Sequence, residues 1–564
     1  MTRWTPQRDC TAGRAPERRL ADRRGAIMLL VLAAIVLLSF AAYTFAELML
    51  NEHTAARAMS QHLELRCLAE SGVEATAAWL DDRPRRDAEP PGWFQNPQLF
   101  AKQPAPAGMS GLGHYSIVPD VAALNSEQVV FGLWDESGQL NLNALPLEKA
   151  QRRMARTQLL ALPGMTPQTA DAILDWMDAD DEPSAFGAET SYYSAQYPAY
   201  RPRQGRLTAL EELLLVRGVT RELLFGEDAN GNGMLDANEN DGTQSEPRDN
   251  ADGVLQRGWS QFITLVSAES NLRRNGTPKI NVNHPNLVEL YDALEREFDP
   301  KIARFVVAWR LVGSVESDEN PREANPQTRT GLRATQKPSH EDVDALEAER
   351  DAARLRAKRQ LGGDDSAGDA HHSKTPDREI IRGGLDLARR PVFSIRSMLD
   401  LIGTDVRIDI DREDTVLRSP WKADASNLER SILLLNNKLT TTDGAATVGR
   451  INVNTAPREV LLAIPQMTEP LAAAILHARG TGSRTSNVAE RRQTIAWLTS
   501  EGILTLRQLR QFAPHLTTQG DVWRGVSLGQ MPNSPIVVGV EFLLDASVRP
   551  AKVRSWRDLP PRRM

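Results

Sequence analysis

The sequence predicts an α+β protein. A long N-terminal helix, transmembrane first and an amphipathic spine after, packs on a small antiparallel sheet, and a large α-helical region with helix-hairpin-helix-like repeats is inserted between the strands. Three observations predict this. Residues 26–46 form a run of 21 without a charge. No proline falls between Pro16 and Pro84, and proline is the residue that breaks helices, by removing a donor and clashing with the preceding turn. Strand-like segments stand at the two ends of the remaining chain, near 114–134 and 523–556, with helical patterns between them.

At about 1.5 Å per residue the apolar run spans roughly 30 Å, one bilayer core. The segment before it, residues 1–25, holds seven Arg and three acids, 7 − 3 = +4. That places the N-terminus on the cytoplasmic side and the remainder across the membrane. A secretory signal would have a shorter apolar core followed by a small-residue cleavage site. Here the candidate processing point, Gly25 followed by Ala26, lies before the apolar run, and a plain signal anchor is the other reading. One rod is expected from about Ala26 to Leu80, on the order of 80 Å. Its outer half turns amphipathic, with Leu65, Leu68, Gly72, Ala75 and Trp79 on one face.

The whole chain of 564 residues is long enough for several domains, and its net charge, 67 − 74 = −7, is mildly acidic. A dedicated nucleic-acid binder usually carries a basic surface. Of the two cysteines, Cys10 lies in the leader and Cys67 on the spine. Loss of the leader would leave one thiol and no internal disulfide, so a metal is the expected staple.

Residues 81–110 read as a loop. Segments 114–118 and 128–134 read as strands with a turn near Asn125, giving a pilin-like region over 81–132. A helix is expected from about Leu147 to Leu160, then a tight turn at Leu162-Pro163-Gly164-Met165, then a second helix capped by Thr166 with Pro167 at its first position. That helix ends among Asp175, Asp178, Asp180, Asp181 and Glu182. Acids there oppose the helix dipole, so they need a compensating cation or full exposure. The pattern returns 461 − 159 = 302 residues later at Leu461. Asn141-Leu142-Asn143, Asn281-Val282-Asn283 and Asn452-Val453-Asn454 open three related units, with matching parts at 133–226, 278–408 and 449–517. The units are bounded at 133–277, 278–408 and 409–517. The second is interrupted by a charged linker over about 314–384 that is too poor in apolar residues to fold. Residues 341–360 within it are expected to form a solvated helix, and His371-His372 are read as solvated polar sequence. Residues 518–564 return strands to the sheet.

The sharpest local motif is the loop 228–239. Asp228, Asn230, Asn232, Asp236 and Glu239 put oxygens at positions 1, 3, 5, 9 and 12, Met234 offers its carbonyl at position 7, and Gly233 allows the sharp turn at position 6. This is the calcium loop of an EF-hand, since hard Ca²⁺ takes six to eight oxygens. An incoming helix is expected over 211–225 and no outgoing one, so the role is structural. Asp178, Asp180, Asp181 and Glu189 form a second, weaker candidate. No nucleophile elbow, HExxH or phosphate loop occurs, and no enzymatic activity is expected. A membrane-anchored helix-hairpin-helix DNA-binding or DNA-uptake protein is the alternative, but the second glycine of that motif is missing. Asp171 and Asp175 follow where cations would meet phosphate.

Taken together the chain resembles the protein K family of minor pseudopilins of the type II (general) secretion pathway. The resemblance rests on Arg23-Arg24-Gly25 before the apolar helix, Asp135-Glu136-Ser137-Gly138, the segment from Asp175 to Pro183, Tyr192-Tyr193, the segment from Leu207 to Leu213, and Asn452-Val453-Asn454-Thr455-Ala456. The linker and the middle unit make this chain longer than a usual member. The resemblance implies cleavage by prepilin peptidase after Gly25 and methylation of Ala26. It implies Leu30, not Glu, at the fifth mature position, and a subunit at the tip of the pseudopilus that takes part in protein export across the outer membrane. Implied partners are other minor pseudopilins, prepilin peptidase, and secreted proteins or the outer-membrane secretin. The implied location is the inner membrane, single pass, with a periplasmic head. No nucleic acid is expected.

Overall fold

The computed structural model describes residues 23–82, 96–104, 113–120, 129–231, 233, 235–273, 275–316, 380–410, 413–481, 492–532 and 534–563. The leader up to residue 22, the turn near Asn125, most of the charged linker with its expected helix and His371-His372, and Asn232 and Met234 lie outside them. The chain falls into two compact units, residues 1–67 and 68–564.

The described part of the first unit belongs to the helix Arg23–Asp82, which includes Gly25 and Ala26. From Ile27 to Leu50 its large apolar side chains are exposed, Leu30 at 72 % among them. Leaving one such side chain in water forgoes about 1.5–3 kcal/mol. The helix is long and apolar enough to cross a membrane.

In the second unit the helix continues from Leu68 to Asp82. Leu68, Ala69, Gly72, Val73, Thr76 and Leu80 are buried at helical spacing, while Ala75 and Trp79 are half-buried. This stripe lies on a seven-stranded antiparallel sheet of the described residues. Its strands run in the order Gln103–Pro104, His114–Val118, Val522–Gln530, Ile536–Asp545 and Lys552–Asp558. Trp134–Asp135 also pairs with the third of these and Arg562–Arg563 with the fourth. Ala69, Val73 and Leu80 pack with Ile117, Leu133, Trp523, Val540, Phe542 and Leu544. Gly72 sets the approach, since a Cβ there would stand 2.2 Å from Ser527 Oγ. The strand expected over 128–134 is shorter: only Trp134–Asp135 pairs as strand. Within 129–133, the Gly132 amide donates a single bond, to Ile117 O.

Among the described residues, the region inserted between Trp134–Asp135 and Val522–Gln530 is mainly helices and turns around one large core, with short strand pairs and one small antiparallel sheet of Val315–Glu316, Thr404–Ile410 and Glu413–Arg418. Asp135 and Glu136 tie that region to the sheet. Asp135 is buried and accepts from the Ser137 amide (2.8 Å), Ser137 Oγ (2.6 Å), Asn452 Nδ2 (2.8 Å) and the Gly520 amide (2.8 Å). Burial pushes its carboxyl above the usual range against those four donors. Glu136, fully buried, pairs with Arg524 of the sheet at 2.7 Å and accepts from Thr264 Oγ1. The negative Glu136 beside Arg524 holds that guanidinium firmly charged.

The inserted region repeats one device three times. Asn141, Asn281 and Asn452 each accept, through the side chain, the amide two residues on. Each lies in a two-residue parallel pair, respectively with Ile263–Thr264, Leu439–Thr440 and Leu516–Thr517. The second Asn of each opening donates Nδ2 to two backbone carbonyls. Asn143 donates to Leu207 and Leu265, Asn283 to Ile395 and Thr441, and Asn454 to Arg492 and Thr518. An amide side chain is the one group that can both accept and donate in this way.

Candidate metal centre

The first of the three units carries an acidic pocket. Its helix Pro167–Met177 starts at Thr166, whose Oγ1 accepts from the Thr169 amide at 3.2 Å, and every residue from Thr169 to Met177 is buried. Trp259 Nε1 holds the preceding turn through Pro163 O at 2.7 Å. Acids on a buried helix need partners, and the antiparallel neighbour Arg152–Leu160 supplies two. Arg156 Nε meets Asp171 Oδ1 at 2.6 Å. Arg152 forks across Asp175 Oδ1 and Asp178 Oδ2. These are the compensating cations that the helix C-terminus calls for, and they occupy the acids that a phosphate backbone would meet.

One carboxylate is left over. Glu189 is 2 % exposed, and neither of its oxygens has a hydrogen-bond partner. Asp178 Oδ1 is also buried and unpartnered. Oxygens of Asp175, Asp178 and Glu189 lie within 4.8 Å of one another. Burial first, then the charges of Asp175, Asp178 and Asp181, push the Glu189 carboxyl up to about 8. Burial likewise raises Asp175 and Asp178, although Ser184 donates its amide to Asp175 at 3.0 Å. Ionised together, three carboxylates against one guanidinium would leave an excess of negative charge in a buried site. Once deprotonated, their hard oxygens suit a divalent cation of the calcium or magnesium class.

Of the four acids the sequence offers for this site, the structure brings Asp178 and Glu189 together and adds Asp175. Asp180 instead faces Lys149 at 3.7 Å and accepts from the Glu182 amide, and exposed Asp181 accepts from the Thr190 amide. The sequence places Asp175 in the acidic cluster at the helix end but not among the metal candidates; the return of the chain through Ser184 and Glu189 brings it into the site.

The loop 228–239 is closed by its own hydrogen bonds. Asp228 Oδ2 accepts from the Gly233 amide at 2.9 Å, which is what the glycine at position 6 permits. Glu239, 1 % exposed, reaches back with Oε1 to the Ala229 amide (2.9 Å) and Oε2 to the Asp236 amide (3.0 Å). Asn230 Nδ2 donates to Asp236 Oδ2 at 2.7 Å. Burial raises the Glu239 carboxyl, and the Asp228 and Asp236 charges add to the rise. Each carboxylate oxygen offers two lone-pair sites, so one amide apiece leaves Glu239 able to ligate a cation. The donor set therefore fits Ca²⁺ through Asp228, Asn230, Asp236 and Glu239; Asn232 and Met234, which complete the motif, lie outside the described residues.

The incoming helix expected over 211–225 is not continuous. A 3₁₀ turn, Leu210–Leu215, is followed by the short helix Arg221–Phe225. Gly218, at φ +83°, breaks the run, and a Cβ there would meet Thr169 Oγ1 at 2.9 Å. The loop itself ends in the 3₁₀ turn Ala237–Glu239, and among the described residues no helix follows it before the 3₁₀ turn Gly258–Gln261.

Comparison with known proteins agrees with the family read from the sequence. Residues 138–225, the first unit and its acidic pocket, match the family model of type II secretion system (T2SS) protein K. That family is structural rather than enzymatic. A solved structure described as the GspK-GspI-GspJ complex from enterotoxigenic Escherichia coli Type 2 Secretion System aligns over 91 % of this chain and 99 % of that one. The identity is 9 % and the TM-score 0.29, a likeness that carries no structural weight. No curated protein matches.

Proposed function

We propose that this chain, whose residues 138–225 match the family model of type II secretion system protein K, is a minor pseudopilin that works at the tip of the pseudopilus in protein export. The family match over the first unit is the observation that carries the reading. Two features support it. The apolar helix provides a single membrane anchor, with a basic leader before it that orients the head away from the cytoplasm. Leu30 stands where most pilin subunits would carry a glutamate for a neighbour's N-terminal amine. A subunit without that carboxylate has nothing to hold another subunit above it.

In this reading prepilin peptidase cuts after Gly25 and the Ala26 amine is methylated. The partners are other minor pseudopilins along the spine, together with exported proteins or the outer-membrane secretin at the head. Calcium braces the head at the loop 228–239 and at the Asp175, Asp178 and Glu189 pocket, doing the work disulfides do elsewhere. Mass spectrometry of membrane-extracted protein is expected to give a mature N-terminus at Ala26. The protein is also expected to co-purify with co-expressed minor pseudopilins. A mature N-terminus at Met1, or cleavage after the apolar run, would contradict the reading.

A further inference from the structure

A cleft of about 300 Å³ opens in the head where the end of the first unit, the second and third units and the sheet meet. That is at the lower end of small-ligand sites, roughly 300–1,000 Å³. It is distant in sequence from both calcium candidates, and its wall is mainly polar. Four cations line it, Arg273, Lys279, Arg450 and Arg549, against two acids, Glu269 and Asp521, so the wall carries 4 − 2 = +2. Both acids are already engaged. Glu269 takes Arg450 at 3.2 Å and Thr517 Oγ1 at 3.3 Å, and Asp521 accepts the Ser270 amide at 2.7 Å. Of the cations, Arg450 holds Glu269 and Arg273 holds Glu297 at 2.5 Å, while Lys279 and Arg549 have no ion pair among the described residues.

The hydrogen-bond balance of the wall is one-sided. Arg273 Nε, Arg450 Nε and Gln519 Nε2 are buried atoms without an acceptor, and all three residues line this cleft. Buried polar atoms in folded proteins are almost always paired, so three orphans of one kind in one place call for an explanation. All three are donors, and what they lack is oxygen. The positive field is felt nearby: burial first, then the charges of Arg396 and Arg450, push His515 below its ordinary value.

We propose that the cleft binds a carboxylate-bearing ligand, whose oxygens accept from Arg273, Arg450 and Gln519 while Lys279 and Arg549 neutralise its charge. A small dicarboxylate and an acidic peptide segment share this chemistry. The test titrates the full-length chain, solubilised in detergent and saturated with calcium, with glutarate and with an N-acetylated, C-amidated tri-glutamate peptide, by calorimetry. Saturable 1:1 binding of at least one probe is expected. Lys279→Gln and Arg549→Gln should each weaken it about tenfold, the loss of one charge-assisted contact. Glu269→Gln, which strips a negative charge from the wall, should tighten it several-fold. Binding of the peptide alone assigns the ligand to a polypeptide, and equal binding of both assigns it to the carboxylate group itself. Absence of binding by either probe, affinities unchanged in Lys279→Gln and Arg549→Gln, or weaker binding in Glu269→Gln would overturn the proposal.

Discussion

The first and third repeat units share a backbone device but differ in the charges they place at aligned helix positions. Met177 of the first unit corresponds to Arg310 of the second (310 − 177 = 133) and Arg479 of the third (479 − 177 = 302). Arg310 donates to the carbonyls of Val282 (2.8 Å) and Phe393 (2.6 Å), and Arg479 to those of Val453 (3.1 Å) and Ala456 (2.8 Å). In both units a guanidinium drawn out of water, buried for Arg310 and half-buried for Arg479, has its pKa lowered by that burial and binds carbonyls of the turn that opens the unit. Asp175 in the first unit aligns with Ala308 and His477. The second and third units are thus closed by their own cation, while the first gathers acids and is left one cation short. The family match falls on the first unit alone.

The largest effect should come from breaking a closed unit. Arg479→Met makes the third unit resemble the first at this position and strands two buried carbonyls. At about 1–3 kcal/mol for each unsatisfied group, the loss should be several kcal/mol and is read by denaturant unfolding. Calcium removal comes next. A chelator should withdraw about 2.7 kcal/mol per site for calcium held at a hundred times its Kd, with a matching fall in Tm. Asp228→Asn should remove part of this response and leave the pocket's share.

A pH-dependent effect is expected from Glu189. Without metal, its carboxyl keeps a proton in the folded chain up to about pH 8, while the unfolded chain releases it near the ordinary glutamate value of about 4.3. The folded state then binds more protons than the unfolded one, so stability falls as pH rises through that window. Glu189→Gln should flatten the profile and raise the Tm of calcium-free protein at pH 8. The smallest effect should be equal in two units: Thr166→Ala and Asp299→Ala each remove a helix N-cap, at a cost of about 1 kcal/mol.

The spine and the two-ended sheet were legible because their signals are long. A charge-free run and a proline-free span mark the helix, and the strands Val522–Gln530 and Ile536–Asp545 are long enough to show their pattern. The closing pairs at Ile263–Thr264, Leu439–Thr440 and Leu516–Thr517 are two residues each, too short for any periodicity. Their faint signal is an aliphatic residue followed by Thr, seen three times. The break at Gly218 hid inside a leucine-rich stretch that counts as helical. Asp175 and Asp178 could be read as acids at a helix end that need a cation, but which of the acids meet Glu189 depends on the return of the chain, which no spacing encodes. Arg310 and Arg479 read as ordinary cations of a helix's last turn, and only their burial shows what they hold.

Calcium titration of the intact chain by calorimetry, beside Glu189→Gln and Asp228→Asn, tests the asymmetry between the units most directly. Two classes of site are expected, one lost with each substitution, and neither affected by Arg479→Lys in the third unit. Calcium binding unchanged in both variants, or no binding at all, would contradict it.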